Sequence, residues 1–196
     1  VDEADNLLFI DEFTPEEAAG AEGTAEATAL ALQPLSDTFF LHSLPGATKV
    51  IYLDFDGHTT TGTSWNGGAT MVSAAFSIDA DAAFSATELE RIQYIWQRVA
   101  EDFLPYGVDV TTQDPGVEAR RKLGTGDQAW GQRVVISPSN WYNTGAGGVA
   151  YIGSFSWSSD TPCFVFTAQL GTGNEKYTAE AATHEAGHTV GLYHDG

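Results

Sequence analysis

Four residues near the C-terminal end have the types and spacing of a hydrolytic metal centre. In ATHEAGHTVGLYHDG, His184 and His188 are four positions apart, so on a helix their rings share a face, about 5–6 Å apart at Cβ, within reach of one Zn²⁺. Glu185 is turned about 100° away around the helix, which suits its carboxylate to a metal-activated water rather than to the metal. Gly191, three residues after His188, can take the left-handed conformation that ends a helix. The returning chain then brings His194 to the same ion as a third ligand. Three protein ligands and an open fourth position are the coordination of a catalytic zinc, not of a closed structural one. With Glu185 as general base, such a centre hydrolyses a peptide bond without a covalent intermediate.

The full pattern His-Glu-x-x-His-x-x-Gly-x-x-His arises by accident on the order of 10⁻⁵ times in a chain of this composition. A second pattern is shorter and weaker. VIYLDFDG, an apolar run ending in Asp54 and Asp56, resembles the first motif of the haloacid dehalogenase-type phosphatases. A Mg²⁺-dependent phosphatase using Asp54 and Asp56 is therefore an alternative, with Ser137 and Lys176 available. Beyond Lys176, however, the chain enters the histidine helix rather than a further acidic strand, and VIYLDFDG reads better as a core strand entering a polar turn. A non-catalytic, zinc-stabilised peptide-binding domain is the third possibility. Asp54, Asp56, Asp79 and Asp81 are weak candidates for a structural Ca²⁺. His42 and His58 read as surface residues, Cys163 as a free core thiol, and Trp65, Trp141 and Trp157 as loop aromatics that pack or line a groove.

The elements that must position these groups alternate along the chain. KVIYLDF (49–55), VDVTT (108–112), RVVIS (133–137), VAYIGS (149–154) and CFVFT (163–167) are apolar, β-branched runs between turn residues, and the pattern predicts strands. Leu89, Ile92, Trp96, Val99 and Phe103 recur at helical spacing, with Ser85 and Glu88 as a capping box and Pro105 and Gly107 as stops. Residues 178–192 are expected to form the second helix. Strands interleaved with long helices predict an α/β (α+β) fold with a mixed sheet.

HEAGHTVGLYHD resembles the metzincin zinc-protease signature, and Asp195 after the third histidine is similar to the adamalysin, or reprolysin, branch. GGVAYIGSF (147–155) is similar to the strand those proteases carry ahead of the active-site helix. The resemblance implies a metzincin-like upper subdomain, a twisted mixed sheet with two main helices, His184, His188 and His194 as zinc ligands, and Glu185 as base. It further implies that Val149, Ala150, Tyr151, Ile152 and Gly153 lie on an edge strand that pairs antiparallel with an extended peptide substrate. No Met-turn comes after His194 and the sole methionine is Met71, so residues 37–196 are expected to be the N-terminal part of a catalytic domain whose C-terminal subdomain is missing.

The chain has 196 residues, 27 acids against 8 Lys and Arg, and a formal net charge of -19. That excess disfavours nucleic acid and anionic membrane as partners, and no apolar run approaches a membrane span. Residues 1–36 are rich in Glu, Ala and Thr without Lys or Arg; they read as an acidic linker or pro-segment that is poorly ordered. A single cysteine excludes an intrachain disulfide and a thiolate zinc cluster. A monomeric protein acting on protein or peptide substrates is expected, and the resemblance adds a secreted, extracellular setting.

Overall fold

The computed structural model describes residues 6–12, 32–79, 81–142 and 145–194. Its main sheet has six strands: β1 (Leu8–Glu12), β2 (Lys49–Asp54), β5 (Asp109–Thr111), β6 (Trp130–Ser137), β7 (Ala146–Tyr151) and β8 (Cys163–Phe166). They lie in the order β1-β7-β8-β6-β2-β5. β2 is parallel to β5 and β6, and β6 to β8, whereas β7 is antiparallel to β8 and β1 to β7. The sheet is mixed and the fold α/β, as its sequence pattern implies. A separate hairpin pairs β3 (His58–Thr60) with β4 (Met71–Ser73).

Two helices cover one face of the sheet: α1 (Ala86–Phe103) and α2 (Glu175–Thr189). Ser85 accepts from the Glu88 N–H and Glu88 returns to the Ser85 backbone, the reciprocal capping box legible in the sequence. α2 begins earlier than its histidine pattern suggests because Asn174 caps it, accepting from the Lys176 and Tyr177 N–H groups at 3.1 Å each. Ala179, Ala182 and Ala186 are buried on α2, and these small side chains bring the helix close against α1, β7, β8 and β6. Thr183 Oγ1 donates to Asp102 of α1 at 2.7 Å.

Side chains of the central strands divide by parity. Val134, Ile136, Cys163 and Val165 join Ile92, Ile95 and Val99 under the helices, while Val135, Phe164 and Phe166 join Trp65, Val149 and Tyr151 on the opposite face. Both faces are covered, which is why RVVIS and CFVF are continuous apolar runs rather than alternating ones. Trp65 is an interior residue, 2% exposed, its indole N–H donating to the Pro162 carbonyl at 2.7 Å. Trp141 and Trp157 pack beside it. Cys163 is free and buried, as expected of a core thiol.

One expectation is corrected by the sheet. β7 does not present a free edge, because β1, drawn from the acidic N-terminal segment, pairs along it from Leu8 opposite Tyr151 to Glu12 opposite Ala146. An unpaired row of N–H and C=O groups is a template for any extended chain, and here the chain's own segment takes it. Residues 13–31 and Asp195 lie outside the described residues.

Candidate metal centre

α2 carries His184 and His188 one turn apart, and the turn at its C-terminal end delivers His194. The chain reverses by a Schellman motif: Gly191 N–H donates to the His188 carbonyl at 2.9 Å and Leu192 N–H to the Gly187 carbonyl at 3.1 Å. Gly191 has φ +99°, the conformation for which a glycine is expected. Gly191→Ala should destabilise the protein by about 1–2 kcal/mol and weaken metal retention by loosening His194; urea denaturation beside a zinc titration checks both.

The three Nε2 atoms converge. His188 Nε2 is 3.0 Å from His184 Nε2 and 3.1 Å from His194 Nε2, and the remaining separation is 3.1 Å. Nitrogens bound at roughly 2.0–2.1 Å to a tetrahedral zinc stand about 3.3 Å apart, so the spacing fits. The protonation pattern fits as well: His188 Nδ1–H donates to the Leu192 carbonyl at 2.8 Å, which leaves the Nε2 lone pair directed at the other two rings. Converging lone pairs repel unless a cation lies among them. Among the described residues this is the group of His, Cys, Asp and Glu side chains arranged to hold a metal.

Glu185 is 1% exposed, and its carboxylate lies against the backbone of β7 at Gly148. A Cβ added to Gly148 would stand 2.3 Å from Glu185 Oε1 and 2.6 Å from its Cγ. Gly148 is thus the floor on which the carboxylate rests, a role hidden in the sequence although GGV invites attention to a strand glycine. β7 is tied to the helix that bears the histidines, since Gly153 N–H donates to the His188 carbonyl at 3.1 Å. Ile152 and Gly153 come after the strand in a turn, Gly153 at φ +76°.

The other candidate residues fall elsewhere. Asp54 is fully buried, paired with Arg133, so it cannot attack a phosphoryl group, and among the described residues Asp54, Asp56, Asp79 and Asp81 do not gather as a metal-holding group. Asp79 accepts from the Asp81 N–H at 2.9 Å, closing a local turn. Ser137 Oγ donates to the Ala74 carbonyl at 2.7 Å, and Lys176 is in the first turn of α2. His42 bridges Asp109 at 2.6 Å and Gln113 at 2.9 Å beside β5, the sheet edge remote from β7. His58 is half-buried beside Asp54 rather than on the surface.

A mixed sheet with a histidine-bearing helix packed behind its β7 end, and three imidazoles around one point, form a site arranged to hold one metal ion. Residues 125–195, from β6 through the site helix to the third histidine, match the family model described as metallo-peptidase family M12B, reprolysin-like. The match supports a reprolysin-like metzincin and, with it, a zinc metallopeptidase. No curated protein and no solved structure matches the chain.

Proposed function

We propose that the chain is a zinc endopeptidase in which His184, His188 and His194 hold the metal and Glu185 is the general base. The observation that carries this reading is the triangle of Nε2 atoms at 3.0–3.1 Å, supported by the reprolysin-like match over the same residues. When bound, zinc supplies a Lewis acid that polarises the scissile carbonyl and acidifies a water. Glu185 takes the water proton on its carboxylate and returns it to the amine nitrogen as the C–N bond breaks. Gly148, having no side chain, leaves that carboxylate room to lie beside β7. His188 is held in the ligating tautomer by the Leu192 carbonyl.

The peptide lies extended along Val149, Ala150, Tyr151, Ile152 and Gly153, its main chain hydrogen-bonded to theirs, so recognition is tolerant of sequence and side-chain preference comes from the surfaces on either face. Extracellular proteins and peptides are the substrates this reading implies. No helix among the described residues is long and apolar enough to cross a membrane.

Zinc content tests the proposal most directly. After zinc loading and dialysis against metal-free buffer, elemental analysis should find about one zinc per chain, falling at least roughly tenfold in His188→Ala because two imidazoles no longer close the site. Equal zinc in the two proteins, or none in the loaded wild type, would remove the reading.

A further inference from the structure

The strand that covers β7 does more than complete a sheet. Leu8 stands opposite Tyr151, Phe9 opposite Ala150 and Ile10 opposite Val149, and the Ile152 N–H donates to the Leu7 carbonyl at 2.9 Å. These are the backbone positions the peptidase reading gives to substrate, met in the antiparallel sense expected of substrate. Alternation along the strand sends neighbouring side chains to opposite faces. Leu8 packs against the cluster that contains Tyr151 and Trp65, with Trp157 also at its margin. Phe9 turns to the face of α2, where its ring is stacked on His188, 4.7 Å between centroids at 14°, and lies 4.5 Å from the His194 ring. Tyr193 meets its edge at 5.9 Å.

The burial pattern separates a ligand from a structural strand. Leu7 and Ile10 are 42% and 43% exposed, so the segment lends the core little. Its two partly buried side chains, Leu8 and Phe9, go to the aromatic cluster and to the ligand imidazoles. A strand kept only for the sheet has no need of an aromatic ring on two metal-binding histidines.

We infer that Leu7–Ile10 is a built-in occupant of the substrate groove, which keeps the cleft closed in cis and carries the chemical pattern of the peptides the groove accepts. That pattern is an extended chain with an aliphatic residue on the Tyr151–Trp157 side and a flat aromatic residue over His188 and His194. The inference rests on the peptidase reading of the site. A peptide substrate must first displace the segment, so its apparent affinity falls by the fraction of molecules in which the groove is open.

Two measurements on the full chain test this without relying on catalysis. Hydrogen exchange of the amides in residues 148–152 should be slow in the wild type and at least about tenfold faster in Phe9→Ala and in Leu8→Asp, with the melting temperature of the sheet and helices retained. A fluorescent peptide of sequence NLLFIDE, that of residues 6–12, should bind the Leu8→Asp protein and not the wild type. Its Phe-to-Ala counterpart should bind at least roughly tenfold more weakly. Fast exchange at 148–152 in the wild type, or equal peptide binding by the two proteins, would overturn the inference even if zinc binds stoichiometrically. Protection that grows with protein concentration, with a dimer in sedimentation, would overturn the assignment in cis. Loss of zinc with the exchange and binding results intact would instead remove the peptidase reading and leave the occupied groove.

Discussion

Glu185→Gln should keep zinc and lose hydrolysis by roughly 10²–10⁴-fold, the range contributed by a positioned general base. The readout is kcat/KM on a reporter peptide, in the Phe9→Ala background where the groove is accessible. Glutamine matches glutamate in volume, so the contact with Gly148 and the packing of a side chain only 1% exposed survive. What is removed is the capacity to take a proton. Zinc content per chain therefore stays at the wild-type value, which separates this variant from His188→Ala, where metal and activity are lost together. Turnover undiminished in Glu185→Gln would mean that another group accepts the proton, and the role of the Gly148 floor would have to be found elsewhere. A fall in both zinc and activity would assign Glu185 to holding the ligand helix rather than to chemistry.

The site is legible in the sequence because each of its parts is local. Two histidines one turn apart, a glycine able to reach φ +99° and a third histidine on the returning chain lie within eleven residues, and helix geometry alone brings them together. The capping box at Ser85 is local in the same way. Where the sequence misleads, the cause is contact between distant segments. β1 sits in a stretch whose acidity and low hydrophobicity give it no reason to fold alone; it is a strand because β7 offers an edge and the imidazoles a surface for Phe9. Gly148 matters through Glu185, on another element, and nothing in its neighbours along the chain points there. β3 and β4, three residues each, are too short for a period-two pattern to register. The beginning of α2 is hidden for a smaller reason: Asn174 is an N-cap whose effect precedes any apolar periodicity.

The same distinction explains why VIYLDFDG resembles a phosphatase motif without being one. The partner that decides the role of Asp54 is Arg133, 79 residues away and opposite Tyr52 on the neighbouring strand. Arg133 also reaches Asp160 at 3.4 Å, and Arg120 joins Asp160 at 2.9 Å and contacts Asp114. Two nearly buried guanidiniums and three carboxylates thus form one network on the sheet face away from the helices. Asp54, fully buried inside it, has no path to a substrate. Its function is to satisfy buried charge between the end of β2 and the middle of β6.

Arg133→Ala should therefore destabilise the protein by about 3–5 kcal/mol at pH 8, the cost of leaving a buried charge without its partner, and should do so less at pH 5. Burial, together with a shared hydrogen bond from the Asp56 side, pushes the Asp54 carboxyl up to about 7 despite Arg133. A folded value above the unfolded one means that its favourable contribution is complete in acid and is lost as pH rises through 7. Without Arg133 the carboxyl is raised further, which widens the loss at pH 8 and leaves the protonated form at pH 5 little affected. His58, 3.9 Å from Asp54, is held down to about 4 by burial and then by the charge of Arg133. Its contribution is present above pH 6.5 and lost as pH falls toward 4, and removing the guanidinium relieves that loss. Both groups thus shrink the cost of the substitution in acid. Urea denaturation at the two pH values measures it, and Asp54→Asn added to Arg133→Ala should restore much of the stability at pH 8, because an amide needs no counter-charge. A cost equal at both pH values and indifferent to Asp54→Asn would assign Arg133 to packing against Tyr52, whose ring lies 5.2 Å from the guanidinium, and not to charge.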